Sequence, residues 1–295
     1  MVLARTYDAA APAGGLGQRV RALCGFPGLI WQNRYMVQNF FQRELMGRFH
    51  GSLLGAWWML VQPMFMFCVY YLIFGMLYGR GGEDPTAFAL YMFSGVVAFH
   101  ALNEALSNSC GIIVGNSNLV KKVAFPSEVL PIPSALVSLI VYVVGAALAM
   151  VIGLATGKFS PGLQLLGLPI VLALQFVLTL GIGLVLANAN VFIRDVQQLW
   201  RIFSMAWFFL SPVFWNPKMM AGLIGDPTLT ALAFHANPAY SLLMAQRIAL
   251  AGELPHWGVV DFWGHVGALT LWAFGALIVG HMTFTANKRK HADIV

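Results

Sequence analysis

Six long apolar stretches with almost no charge constrain the fold of this chain more than any other feature. The clearest of them, residues 57–78, contains no Asp, Glu, Lys or Arg. About 20 mostly apolar residues are enough for a helix to cross a bilayer. Charged residues make up only 9% of the chain, against about 25% in a soluble domain. We therefore predict an all-α polytopic membrane protein with six transmembrane helices, at residues 57–78, 88–114, 129–155, 163–189, 196–215 and 266–284.

The distribution of positive charge predicts how these spans are oriented. Thirteen of the 17 Lys and Arg residues fall on one side of the six spans, including Lys288, Arg289 and Lys290 near the C-terminus. Because cytosolic loops carry an excess of Lys and Arg, we expect both termini in the cytosol. The three C-terminal cations are interpreted as topology signals alone. Since the basic residues are scattered among loops rather than gathered on a soluble face, no nucleic-acid partner is expected.

The segments outside the predicted transmembrane domain (57–286) have different compositions. Residues 1–33 are rich in Ala, Gly and Pro and are predicted to be a flexible cytosolic arm, to which we assign no role. Residues 34–56 contain an apolar stripe and are predicted to form an amphipathic helix at the membrane interface. The stripe repeats at every fourth residue, at Val37, Phe41, Leu45 and Phe49. Residues 287–295 are expected to form a cytosolic tail.

The connection before the last span, residues 216–262, is long enough to hold structure of its own. Asn237 followed by Pro238 is typical of a helix start, and Gly252 of a helix end. The apolar residues between them are too few to span a membrane. We expect short re-entrant helices here, with an ordinary external loop as the alternative.

A stripe of polar side chains lies within the second predicted span. Its members recur at helical spacing, at His100, Asn103, Glu104, Ser107, Asn108 and Gly111. Lipid cannot hydrogen-bond these groups, so they must face protein or water. The stripe either lines an aqueous pathway or a subunit contact, or it belongs to a part of the helix that projects into the cytosol.

Aromatic residues share one helical face in each of two predicted spans. In the first span they are Phe67, Tyr71, Phe74 and Tyr78, and in the fifth Trp200, Phe203 and Trp207. Aromatic faces can stack on the C–H faces of sugar rings, which suits a conduit for a glycan. With Glu104, these side chains are the predicted translocation pathway. Helix packing and interfacial anchoring are the commoner uses of such residues.

Several motifs of catalysis are absent from the sequence. There is no G-x-x-x-x-G-K-[ST] phosphate loop, so we do not expect this chain to hydrolyse ATP. Cys24, Cys68 and Cys110 lack metal-ligand spacing, and no H-E-x-x-H or G-x-S-x-G element occurs. We expect no catalytic residue, metal site or cofactor in this chain. Glu104 alone keeps a membrane-embedded glycosyl- or acyltransferase as a weaker alternative.

Four motifs follow one another along the chain. They are R-x-x-G-S-x-L-G-x-x-W-x-x-x-x-P at 48–63, N-x-N-L-V-K-K-x-x-F-P-x-E at 116–128, N-x-x-x-R-D at 190–195 with S-P-V at 211–213, and N-P-x-Y at 237–240. With these motifs and six spans, the chain resembles the permease subunits of ABC-2-type exporters over residues 34–285. The resemblance is to the group that exports O-antigen for lipopolysaccharide biosynthesis, teichoic acid or capsule polysaccharide.

The resemblance implies a homodimeric permease in the bacterial inner membrane that pairs with two copies of a separate ATP-binding subunit. ATP and Mg would be bound by that subunit, and the substrate would be a glycan on undecaprenyl diphosphate. An exporter of a drug or another small lipid is the alternative within the superfamily. Membrane lipids are the remaining expected partners.

The resemblance also implies roles for individual residues. The island after the second span corresponds to a coupling helix that contacts the ATPase, and the interface helix would be a second contact. The ATPase-coupling residues would be Asn116, Asn118, Lys121, Lys122, Phe125, Arg43 and Arg48. We expect Arg194 and Asp195 to form a structural ion pair in a turn. The external gate would contain Asn237, Pro238, Tyr240 and Arg247.

Overall fold

The computed structural model describes residues 16–48, 50–77, 84–122, 126–159, 162–254 and 258–294. Within these residues the fold is helical, and the single β-bridge joins Leu254 and Val259. The all-α prediction is confirmed. The α-helices are α1 (Leu16–Gln32), α2 (Arg34–Gly47), α3 (Trp58–Tyr70), α4 (Pro85–Gly115), α5 (Ser117–Lys122), α6 (Pro131–Ala155), α7 (Leu168–Phe192), α8 (Val196–Leu210), α9 (Pro217–Ile224), α10 (Pro227–His235), α11 (Pro238–Ala251) and α12 (Phe262–Ile294).

Five of the six predicted spans are helices long and apolar enough to cross a membrane. They cover Gly55–Ile73, Pro85–Gly115, Ser127–Ala155, Leu163–Phe192 and Phe262–Lys288. A helix satisfies its own backbone hydrogen bonds, which is why uncharged apolar segments take this form in lipid. The first span continues as a π-helical segment, Tyr71–Leu77. Its predicted last residue, Tyr78, lies outside the described residues.

The predicted fifth span, 196–215, is shorter in the structure. Its helix, α8, has 15 residues, a length of about 22 Å, and therefore lies below the length expected of a lone membrane span. Pro212 restricts the residue before it to extended backbone, and Ser211 has φ −92° and ψ 148°. The helix ends there for that reason.

Although short, α8 runs antiparallel to α4, and two hydrogen bonds show how far the contact extends. Near its start, Trp200 Nε1 donates to Ser107 Oγ at 3.1 Å. Just past its end, the Tyr91 hydroxyl donates to the Pro212 carbonyl oxygen at 3.3 Å. Ser107 and Tyr91 are 16 residues apart on α4, or about 24 Å.

The core of the bundle lies around α4, which is buried along most of its length by α6, α7, α8 and α11. The most extensive helix contact among the described residues is between α7 and α12. A Cβ atom added at Gly181 would collide with the backbone of Ala276, and one at Gly280 with the carbonyl of Gly181. Small residues that let two backbones approach are typical of helix packing in membranes.

The predicted flexible arm is partly ordered. Residues 16–32 form α1, and residues 1–15 lie outside the described residues. Phe26 is buried, with its ring 5.0 Å from the ring of His281 on α12. Composition suggested a loose segment because Gly and Pro are frequent, but the apolar side chains around Phe26 pack on the bundle and stabilise the helix.

The predicted interface segment, 34–56, is only helical in its first part. The helix α2 ends at Gly47, and a 3₁₀ turn, Gly55–Trp57, leads into α3. Val37 is buried on α2. It packs in one cluster with Ile132 and Ala135 of α6, so α2 lies against the transmembrane helices.

Different helix ends and loops lie at the two ends of the bundle. The basic end, as we name it, holds α2, α5, the α7–α8 turn and the last turns of α12. The opposite end holds the start of α4, the residues after α6 and the end of α11. There the Lys158 Nζ and Asp84 Oδ2 atoms form an ion pair at 2.7 Å.

Candidate functional site at the basic end and along α3 and α8

The predicted coupling helix corresponds to α5, which is amphipathic. Leu119 and Val120 pack on a buried cluster that includes Phe284 of α12. Asn118 and Lys121 are exposed on the other side. The side chain of Lys122 and the whole of Phe125 lie outside the described part of the structure. A short helix with an anchored apolar face thus leaves at least two of the predicted polar residues exposed.

Asn116 and Arg43, both predicted as coupling residues, contact each other. Asn116 ends α4, and its Nδ2 donates to the Ile112 carbonyl at 2.8 Å. Its Oδ1 accepts a hydrogen bond from Arg43 Nη2 at 3.1 Å. This contact connects α2 to the junction between α4 and α5.

Glu104, predicted in the translocation pathway, is ion-paired with Arg48, predicted to contact the ATPase. The Arg48 Nη1 and Glu104 Oε1 atoms are 2.6 Å apart. Glu44 lies 3.7 Å from Arg48 and accepts a hydrogen bond from Ser134 Oγ at 2.9 Å. Burial raises the pKa of the Glu44 carboxyl, although Ser134 and Arg48 oppose that shift. The network joins α2, α4 and α6.

The polar stripe on α4 therefore faces other helices rather than lipid. Ser107 accepts the hydrogen bond from Trp200, and Gly111 lies beside Gln197 of α8. His100 approaches Gln62 of α3, with 3.4 Å between their nitrogen atoms. A cavity of about 390 Å³ with mixed polar and apolar walls opens between α3, α4 and Arg48, and Glu104 lines it. The partners of Ser107, Gly111 and His100 belong to the same chain, whereas Asn108 is exposed. A role of the stripe in an aqueous pathway or a subunit contact stays a prediction.

The aromatic residues predicted to line a pathway divide into packed and exposed side chains. Phe67 and Tyr71 stack at 5.7 Å between ring centroids, and both are partly buried. Trp200 and Trp207 are buried against α4. Phe203 has 54% of its surface exposed. The side chain of Phe74 and all of Tyr78 are outside the described residues.

A groove of about 210 Å³ separates α3 from α8, with α4 as its floor. The floor carries Phe99, His100 and Asn103, and the walls carry Tyr70 and Phe208. Sequence reasoning missed Tyr70, Phe99 and Phe208. Their signal was the general aromatic content of these spans, but only the packing of three helices shows that they meet.

Beside this groove, α3 and α8 expose large apolar side chains. Pro63 is the one buried residue described on α3. The exposed members include Phe65, Leu72, Met76 and Leu77 on the first span, and Leu199, Ile202, Phe203, Met205, Phe209 and Leu210 on α8. A face of this kind is covered by lipid or by another protein.

The predicted turn residues Arg194 and Asp195 lie in the turn between α7 and α8, and both are exposed. The ion pair expected between them is absent from the salt bridges of the described residues. Side chains of adjacent residues generally do not face each other. Asp195 is instead the residue before α8.

Inside the bundle, the predicted gate residue Asn237 holds the start of α11 against the end of α8. Asn237 Oδ1 accepts hydrogen bonds from Trp207 Nε1 at 2.7 Å and from the Ala239 backbone at 3.0 Å. Its Nδ2 donates to Ser211 Oγ at 3.1 Å. The N-P-x-Y and S-P-V motifs are therefore in direct contact. Pro238 is the first residue of α11.

Arg247 is a buried cation coordinated by carbonyl groups. It is 2% exposed, and its Nη1 donates to the Pro212 carbonyl at 2.6 Å and its Nη2 to that of Tyr91 at 3.0 Å. The guanidinium also lies 3.5 Å from the Tyr91 ring centroid. A Cβ atom at Gly95 would collide with it. Arg247 thus connects α4, α11 and the turn after α8.

The geometry of α10 and α11 agrees with the predicted re-entrant helices. Trp272 Nε1 donates to the His235 carbonyl at 2.8 Å. Trp272 lies about 15 Å along α12 from Phe262, the first residue of that helix. Glu253, past the end of α11, accepts from the Asp261 backbone at the start of α12. Tyr240 is buried near the deep end and stacks on Phe234 at 4.7 Å. The segment therefore enters the bundle and returns.

Glu128 and Lys288 form an ion pair that sequence reasoning missed, and we name this pair the clasp. The Lys288 Nζ and Glu128 Oε2 atoms are 2.7 Å apart, and the side chains are only 14% and 7% exposed. The interpretation of Lys288 as a topology signal alone is wrong, because its ammonium group is used inside the protein. An acid among apolar residues, as in the sequence around Glu128, must find a partner, and this was the available signal.

The sequence matches the family described as ABC-2 type transporter over residues 35–249. It is 28% identical to an O-antigen export system permease protein of Myxococcus xanthus, covering 84% of this chain and 93% of that protein. It is 23% identical to a protein of the same description from Klebsiella pneumoniae, covering 86% and 92%. A polysialic acid transport protein of Escherichia coli is 26% identical over 59% of this chain and 67% of its own length. Since the family match covers most of the chain, from α2 into α11, the protein belongs to the ABC-2 type transporter family.

Proposed function

We propose that this chain is the permease subunit of an ATP-driven exporter that moves a lipid-linked polysaccharide across the bacterial inner membrane. The observation that carries the proposal is family membership together with relatives described as O-antigen export permeases, matched along nearly their whole length. The permease acts as a homodimer with two ATP-binding subunits, which bind ATP and Mg. Both termini then lie in the cytosol, and the basic end faces the ATPases.

The contacts at the basic end support a role for α5 in coupling. A push on its exposed side chains, Asn118 and Lys121, would reach α2 through the bond between Arg43 and Asn116. It would reach α12 through the apolar contacts of Leu119 and Val120. Packed elements of this kind move as rigid bodies rather than deforming.

The face made by α3 and α8 supports a pathway between two copies of the chain. Its aromatic groove and exposed apolar residues suit contact with a second copy when closed. When the copies part, the aromatic rings and the polar floor of His100 and Asn103 would face the sugar chain. The polar groups would hydrogen-bond the hydroxyl groups of the sugar, and the aromatic rings would stack on its C–H faces.

The exporter of a drug or small lipid remains the second candidate, because the exposed face of α3 and α8 is strongly apolar. The membrane-embedded transferase is disfavoured by the ion pair between Glu104 and Arg48. A transferase would need a carboxyl group free to accept or donate a proton.

The test is complementation of a strain that lacks the permease, with glycan measured at the cell surface and inside the cell. The wild-type chain should restore surface glycan, whereas Lys121→Glu should leave glycan inside and abolish stimulation of ATP hydrolysis by the permease. Lys218→Glu is the matched control, since Lys218 is an exposed cation near the opposite end. Export by Lys121→Glu at the wild-type rate would contradict the coupling role. Drug efflux without glycan export would support the second candidate instead.

A further inference from the structure

A groove of about 550 Å³ lies on the outer surface of the bundle, between α1–α2 and α6. Its walls are almost entirely apolar, with Val37 and Phe41 on one side and Leu136, Ile140 and Val144 on the other. Along α6 these residues cover about 12 Å. The residues on α6 belong to the candidate span Ser127–Ala155, so the groove runs along this span away from its first residues.

A single cation, Arg34, is part of the groove wall at the junction of α1 and α2. Its guanidinium carbon lies 5.2 Å from the ring centroid of Trp31 and 4.6 Å from that of Tyr35. Its Nη1 donates to the Trp31 carbonyl at 3.2 Å, and its Nη2 to the Tyr35 hydroxyl at 3.3 Å. None of the ion pairs found among the described residues includes Arg34. The guanidinium is thus held in place, and no carboxylate of the described residues forms an ion pair with it.

The aromatic residues beside Arg34 indicate where the membrane surface lies. Trp31 and Tyr35 are 71% and 67% exposed, and amphipathic rings of this kind are enriched at the level of lipid headgroups. Such rings would place Arg34 at headgroup depth, with the apolar walls on α6 continuing from it along the span.

We propose that this groove is a binding site for an anionic phospholipid, with its phosphate at Arg34 and one acyl chain along α6. The order of the groups is that of the lipid itself, a charge followed by a continuous apolar surface. A neutral or zwitterionic lipid would occupy the same walls but would gain less from the guanidinium. The bound lipid joins α2 to α6 and so supports the helix from which Arg43 reaches the coupling region.

Native mass spectrometry of the full-length chain, titrated with phosphatidylglycerol and with phosphatidylethanolamine, tests the site. The wild type should retain one phosphatidylglycerol more strongly than phosphatidylethanolamine. Arg34→Gln should reduce that preference about fivefold, the ratio expected from one cation near an anionic headgroup. Arg34→Lys should keep most of it. Arg194→Gln is the matched control, because Arg194 is an exposed cation near the same end, outside the groove.

A second variant separates the chain from the headgroup. Val143 lines the groove and is 45% exposed, so Val143→Trp should fill it without disturbing the core and should weaken retention of both lipids. Equal loss of preference in Arg34→Gln and Arg194→Gln would overturn the proposal, as would equal retention of the two lipids by the wild type. Crosslinking of two copies through Ile140→Cys would show that protein covers the groove, which would also overturn it.

Discussion

The clasp between Glu128 and Lys288 gives the sharpest prediction, because sequence patterns alone assigned it no role. Replacing Lys288 by Met leaves the Glu128 carboxylate inside the protein without its cation. Breaking a buried ion pair by removing one partner costs about 3–5 kcal/mol. Since the two side chains keep 14% and 7% exposure, we expect a loss near the lower figure, about 3 kcal/mol in the free energy of unfolding.

The charge-swapped double variant, Glu128→Lys with Lys288→Glu, should recover much of this loss. Each single swap places two like charges side by side, whereas the double variant restores opposite charges at the same positions. The assay is thermal unfolding of the purified protein in detergent, with the coupling free energy taken from the complete double-mutant cycle. Lys290→Met is the matched control, because Lys290 is exposed on the same helix.

Two results would refute this reasoning. One is a Lys288→Met protein that unfolds at the wild-type temperature, and the other is a double variant as unstable as the two single changes added together. If the clasp also positions the segment after α5, stimulation of ATP hydrolysis should fall in the single variants and return in the double variant.

Three further predictions concern helix contact, the buried arginine and pH. Gly280→Leu should push α12 away from α7 and lower the free energy of unfolding by about 1–3 kcal/mol. Gly275→Leu should be tolerated, because a Cβ atom there meets nothing within 4 Å. Equal unfolding temperatures of the two variants would contradict this prediction. Arg247→Met should remove the guanidinium donor from the Pro212 and Tyr91 carbonyls and cost about 2 kcal/mol, less than two orphaned carbonyls would, because the Tyr91 hydroxyl still donates to the first and Ser94 Oγ to the second. Gly95→Ala should weaken the same site. Gly267→Ala, with open space around its Cβ, serves as the control in the same unfolding assay. Burial lowers the pKa of His291 from 6.5 to about 4, so the folded protein favours the neutral ring. The stability that the neutral His291 ring contributes is therefore present above pH 6.5 and is lost as the pH falls toward 4. His291→Gln should therefore flatten the unfolding temperature between pH 6.5 and 4, and an unchanged slope would count against this assignment.

The membrane-spanning character of the chain could be predicted because it depends on composition. Lipid offers no hydrogen-bond partners, so any long uncharged apolar segment must form a helix or leave the membrane. Residues 57–78 and the other long spans satisfied that condition locally. The start of α11 was also readable, because Asn237 caps the helix with its own side chain and Pro238 follows.

Other elements depended on contacts that no local pattern contains. The order of α1 comes from Phe26 packing against α12, and the length of α8 from the extended backbone before Pro212. Helical periodicity placed Phe67, Tyr71, Trp200 and Trp207 on common faces. It did not show which neighbours cover those faces. Trp200 and Trp207, predicted to line the pathway, are in fact buried against α4.

By itself, therefore, the sequence determined the class of the protein and the main spans. The tertiary structure alone decided which charged side chains form ion pairs within the protein. Arg48 meets Glu104 across 56 residues of chain, and Lys288 meets Glu128 across 160. The physical reason is that a charge removed from water needs an opposite charge or several hydrogen bonds close by. The sequence shows that such a need exists, but only the packing of the helices determines which distant group meets it.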